Sequence, residues 1–167
     1  MLFRSVTYDP AEDEARAQQA LRHAKALLGD TEIAIDYTAT PAPMSLARCL
    51  IEHGLRVSRI YADSIAAGDL DDFRWLQEHA PDLSLYATVE VKLRVLPRRT
   101  ERPMLAIGQK AAYFTGTQHF VNIVEGGGMY GFDGLCRLAE LMEEAHRTER
   151  DARDFIQQKG LGCDSCL

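Results

Sequence analysis

The chain lacks any apolar run near the roughly 20 residues that cross a bilayer as a helix. Its first residues also lack the apolar stretch of a secretion signal. A cytoplasmic protein with no membrane partner is the expectation. Cations are in deficit: Lys and Arg number 19 against 25 Asp and Glu, a formal net charge of −6. Binding to nucleic acid is driven by Lys and Arg displacing phosphate counterions, so this balance argues against a nucleic-acid partner, a local basic patch at residues 94–102 notwithstanding. Cysteine is scarce, four in 167 residues. Cys49 and Cys136 fall inside apolar helical patterns, where a free thiol packs as a small hydrophobe. Cys163 and Cys166 form the one C-x-x-C pair, at the tail. A structural zinc needs about four ligands, so this pair would make a metal site only by sharing it with another chain. No internal repeat is present.

What is present is ordinary for a globular domain: 46% apolar and 26% charged residues. A chain of this length buries roughly 70% of the surface it exposes when unfolded, enough to fold without metal or disulfide. Asp9, Pro10 and Glu12 signal a helix start and Gly29 its stop, giving an opening helix over 9–28 with Ala17, Leu21, Ala24 and Leu28 inward. Strands are predicted at 32–37, 57–62, 83–91, 104–107 and 120–124. Between the first two, Leu46, Leu50 and Ile51 share a helical face ended by Gly54. Asp69 is placed to cap the next helix, with Leu70, Phe73 and Leu76 on its buried side and Pro81 ending it. A short helix is expected within 109–116, and a long one, heavily charged in its second half, over 132–158.

Strands alternating with helices imply parallel pairing, because parallel neighbours need crossover connections. The fold class is therefore α/β: three layers, α/β/α, around a mainly parallel, Rossmann-like sheet of about four to five strands. The chain divides into the opening helix 9–28, an α/β core of about 32–145, and a charged helix with the cysteine tail, 146–167. Ligands of such sheets sit beyond the carboxyl ends of the strands. Four loops should converge there, at 38–40, 63–64, 108–110 and 125–128.

At these loops two runs carry a resemblance. The first is Ala106-Ile107-Gly108-Gln109-Lys110-Ala111-Ala112-Tyr113-Phe114-Thr115-Gly116. The second leads from Phe120 through Gly126-Gly127-Gly128-Met129-Tyr130 to Gly131-Phe132-Asp133-Gly134. With Pro81-Asp82-Leu83 before an inner strand, they are similar, over about residues 33–142, to the C-terminal Rossmann-like domain of nitrogenase component 1 type oxidoreductases. Members of that family, the resemblance implies, hold iron–sulfur clusters or a tetrapyrrole precursor between three such domains and accept electrons from an iron–sulfur reductase. This chain has one such domain and no cysteine-rich portion to hold the bridging cluster. Counted without gaps from Gly131, the family's cluster-ligating histidine falls at Val121, with His119 two positions away.

The candidate ligand-binding residues follow from these loops. Gly126, Gly127 and Gly128, with Glu125 beside them, would let backbone approach an anion or cluster ahead of a helix N-terminus. Gly108, Gln109 and Lys110 follow a buried strand, where an amide and an ammonium can meet a phosphate, carboxylate or sulfide. His119 could act as acid, base or ligand, and Cys163 with Cys166 is the candidate metal pair. The expectation is an oxidoreductase-family domain, a fragment or accessory that adds a ligand or partner surface to a larger redox assembly and is not catalytic alone. No cofactor is expected in the isolated chain, an iron–sulfur cluster being reserved for the assembly. The expected partners are a second copy or another nitrogenase-like subunit, and an iron–sulfur reductase. The alternative is a non-catalytic protein-interaction module whose crevice is vestigial.

Overall fold

In the computed structural model, residues 9–98 and 100–152 are described. Five strands, β1 (Glu32–Asp36), β2 (Arg56–Ala62), β3 (Ser84–Ala87), β4 (Met104–Ile107) and β5 (Phe120–Val121), pair in parallel in the order β3-β2-β1-β4-β5. Helix α1 (Ala11–Leu28) precedes β1, and α2 (Pro43–Glu52) and α3 (Leu70–His79) form the first two crossovers. The short α4 (Gln109–Thr115) joins β4 to β5, and α5 (Gly131–Arg147) follows β5. The chain builds outward from β1 first in one direction and then in the other. Right-handed crossovers therefore place α2 and α3 on one face and α4 on the opposite face.

The strands divide their side chains accordingly, with period two. Ile33 and Ile35 of β1, with Leu105, Ile107 and Val121, meet Leu21, Met44, Leu50, Leu76 and Met142 from α1, α2, α3 and α5. Ala34, with Tyr61, Met104, Ala106 and Phe120, meets Ala111, Ala112 and Phe114 of α4 in a second, smaller core. The three-layer, Rossmann-like arrangement is thus unequal, with four helices against one face and α4 against the other.

Several sequence-based boundaries move. The strand expected over 83–91 ends at Ala87, and Val91–Val95 winds into a 3-10 turn whose start is capped by the Glu90 carboxylate accepting from the Lys92 amide. β5 stops at Val121 because the Ile123 amide turns back to the Val121 carbonyl at 3.2 Å. The helix expected over 132–158 breaks after Arg147, since the Arg150 amide bonds the Gln118 carbonyl at 2.7 Å and draws the chain back to the sheet; residues 153–158 lie outside the described residues. Asp69 stands at the start of α3 but bonds nothing there. Its carboxylate reaches α2, accepting from the Met44 and Ser45 amides at 3.0 and 3.1 Å. Leu70, expected inward, is among the exposed large hydrophobics, whereas Leu76 is buried. Among the described residues no helix is long and apolar enough to cross a membrane.

Candidate functional site

All five strands run the same way, so their carboxyl ends share one edge, and the strand order reverses there between β1 and β4. At that switch point β1 ends in Asp36, fully buried. Its Oδ1 accepts from the Thr38 amide at 2.9 Å, the Thr38 hydroxyl at 2.5 Å and the Ala39 amide at 3.1 Å. Its Oδ2 accepts from the Ala111 amide in the first turn of α4 at 2.7 Å. One carboxylate thus fastens the loop after β1 to the helix after β4. Gly108 makes room for it: with φ at 107°, an added Cβ would lie 2.2 Å from Oδ2. Asp36 is the residue sequence reasoning missed. The signal for it was a lone acidic side chain closing an otherwise apolar strand.

Burial pushes the Asp36 carboxyl above its ordinary value, opposed by its bonds from Thr38, Ala111 and Ala39. The folded chain then holds this proton more tightly than the unfolded chain. Its contribution to stability is fully present below the ordinary aspartate pKa of about 3.9 and is lost as pH rises through the elevated folded value. Urea unfolding of wild type and Asp36→Asn, compared from about pH 3.5 to 7, is expected to shift in the variant's favour with rising pH. A flat or opposite trend would mean that the four hydrogen bonds outweigh desolvation.

Lys110, a candidate ligand-binding residue, lies inside the fold. It is 2% exposed, its ammonium donating to the Tyr37 hydroxyl and lying 4.1 Å from the centre of the Tyr37 ring. Gln109 donates its side-chain amide to Asn122 at 2.6 Å, linking the exits of β4 and β5. At the exit of β2 the Ser64 hydroxyl bonds the Asp63 carboxylate, and both are exposed.

The glycine loop, Glu125–Gly128, lies at the same edge, on the opposite side of the sheet from α4. Glu125, Gly126, Gly127 and Gly128 all have positive φ, from 52° to 76°, so the three consecutive glycines are what this winding requires. Three of the loop's four amides are engaged by carbonyls. Glu125 donates to the Thr38 carbonyl and Gly126 to the Ala39 carbonyl, each at 2.7 Å. Gly127 donates to the Val124 carbonyl at 3.0 Å. A loop so bonded does not offer these donors to a phosphate or sulfide, and its architecture is a roof, not an anion cradle. Beneath it a groove of about 430 Å³ opens between α2 and α5, with walls that include Ala39, Leu46, Ile123, Phe132, Leu135 and Leu138. Thr40, Ser45 and Cys49 supply the few polar atoms along one side. Burial raises the Cys49 thiol pKa, which keeps it protonated.

His119 does not join this set. It precedes β5 and points toward the far end of α5, where its Nδ1 meets the Ala145 carbonyl at 2.9 Å. Its Nε2 lies 4.0 Å from Glu149. Val121, where the family comparison places a cluster ligand, is 2% exposed and packed in the larger core. Among the described residues no three His, Cys, Asp or Glu side chains gather as a metal site would require. These residues do not fit an iron–sulfur cluster, and Cys163 and Cys166 lie outside the described residues. No family model matches the chain, and no curated protein is detectably similar to it in sequence.

Proposed function

We propose that this chain is a nitrogenase component 1-like binding domain, an accessory or a portion of a larger redox assembly, whose groove between α2 and α5 receives an uncharged, largely apolar group. The observation that carries this reading is the roofed groove itself. Its volume of about 430 Å³ is in the range of small-molecule sites, and its walls are apolar with a few hydroxyls to orient a guest. The two buried ionisable groups at the strand ends already have neutral partners within the fold. Asp36 is held by four donors, and Lys110 is buried against Tyr37. The domain therefore supplies shape and desolvation, and any multi-electron chemistry and its cluster would belong to other parts of the assembly.

A direct test uses the uncharged fluorescent dye N-phenyl-1-naphthylamine. One dye is expected to bind per chain, with blue-shifted emission, and Ser45→Trp, which fills the groove from an exposed position on α2, is expected to weaken it at least fivefold. Equal affinity in both proteins would refute the groove as the site. Visible absorbance and metal analysis after anaerobic purification then ask whether the chain carries a cluster, which this reading does not expect.

One observation favours the second reading, an interaction module. In the connection from β3 to β4, Val89, Val91 and Val95 are 69–81% exposed and Leu96 is exposed beside them. Apolar side chains clustered at a surface commonly mark protein contacts. The charged helix α5 contacts α1 through Asp133 with Arg16 and Glu143 with His23 and leaves other charges, Arg137 and Glu140 among them, exposed.

A further inference from the structure

We propose that Asp36 is a positioning residue that couples the two faces of the sheet, setting the roof of the groove from the first turn of α4. This rests on the groove being the working site and adds how it is held. The path is continuous. The Ala111 amide of α4 bonds Asp36 Oδ2 at 2.7 Å, and Asp36 Oδ1 fixes the amides of Thr38 and Ala39. The carbonyls of those same two residues receive the Glu125 and Gly126 amides of the glycine loop. Five bonds therefore hang the roof, on one face, from a helix on the other. The path crosses the sheet where the strand order reverses, at the carboxyl ends of β1 and β4. Gly108, which cannot carry a Cβ beside the carboxylate, keeps the path open.

The coupling makes the order of the roof and the order of α4's first turn interdependent, and a guest in the groove tightens both. Asp36→Asn separates the halves of the link. An asparagine carbonyl still accepts from Thr38 and Ala39, while its NH₂ faces the Ala111 N–H, donor against donor. Amide hydrogen exchange on the full chain reads the consequence. In Asp36→Asn the Glu125 and Gly126 amides are expected to exchange at least tenfold faster, with Leu50 and Ile60 within twofold of wild type. Acceleration confined to Ala111, or spread evenly over the chain, would overturn the proposal. Thr38→Val, which removes one donor on the loop side, tests it in reverse: faster exchange at Ala111 is expected, and no change there counts against the coupling. Bound N-phenyl-1-naphthylamine is expected to slow exchange at Ala111 together with Gly126. Slowing at Gly126 alone contradicts the coupling. If no dye binds, the groove reading fails and the two variants still decide whether Asp36 links the faces.

Discussion

Replacing Gly108 with alanine is expected to lower the unfolding free energy by about 3–5 kcal/mol, the largest loss anticipated for any single methyl added to this chain. Two costs combine. The backbone at Gly108, φ 107° and ψ 156°, lies in a region that only glycine occupies comfortably, worth about 1–3 kcal/mol to any other residue. The new Cβ would also stand 2.2 Å from Asp36 Oδ2 and 2.5 Å from its Cγ. That carboxylate cannot step aside without releasing the Ala111 amide or the Thr38–Ala39 turn. Overpacking of this kind adds roughly 1–3 kcal/mol. Gly54→Ala is the control, since Gly54 also has positive φ, 78°, but a Cβ there meets nothing within 4 Å. Strain alone should cost it about 1–2 kcal/mol. Urea denaturation of both variants checks the difference, and equal losses would show that the contact with Asp36 is easily relieved.

The second large effect is at Asp69. Helix α2 opens with Ala42 at its cap position, which has no side-chain acceptor, and Pro43, which has no N–H. The first two amides needing a partner are those of Met44 and Ser45, and both find the same buried carboxylate. Asp69→Ala leaves them without it. With charge-assisted bonds contributing roughly 1.5–3 kcal/mol each and a partner-less buried amide costing more, the net loss is expected at about 3 kcal/mol. Asp69→Asn keeps one good acceptor and should lose about half of that. Asp72→Ala removes only the partly exposed bridge to Arg48 at 3.0 Å and is expected to cost under about 1 kcal/mol. Thermal unfolding of the three variants ranks them. A loss at Asp69 no greater than at Asp72 would mean water replaces the carboxylate at the α2 terminus.

The same two acids show what was legible in the sequence. Short apolar runs located the five strands and apolar stripes the longer helices, because Ile33, Ile35, Leu105 and Ile107 are buried on one face of the sheet and Ala34 and Ala106 on the other, which makes these strands apolar throughout. Asp69 was recognised as a helix cap, yet its position next to α3 hid the helix it serves, 24 and 25 residues earlier. That choice depends on how α2 and α3 pack, which no local pattern contains. Asp36 was absorbed into a strand, since a single acid in an apolar run says nothing of the four donors that tertiary structure brings to it. The glycine loop was found from its residues, but its use was not. Three glycines permit close approach to a ligand or an unusual turn alike, and only the bonds from Glu125 and Gly126 to Thr38 and Ala39 distinguish the two. His119 illustrates the converse. Its sequence neighbours, Phe120 and Glu125, suggested a site, while its ring turns to the carbonyl of Ala145.

The central claim, that the roofed groove and not the polar strand-end crevice takes a guest, is tested most directly by titrating isotopically labelled protein with N-phenyl-1-naphthylamine and following backbone amide resonances. The account predicts the largest shifts at Ala39, Ile123, Met129 and Leu135, the residues lining the groove, with smaller ones carried to Ala111 through Asp36. Shifts centred instead on Gly108, Gln109 and Tyr37, with the groove residues unmoved, would contradict it.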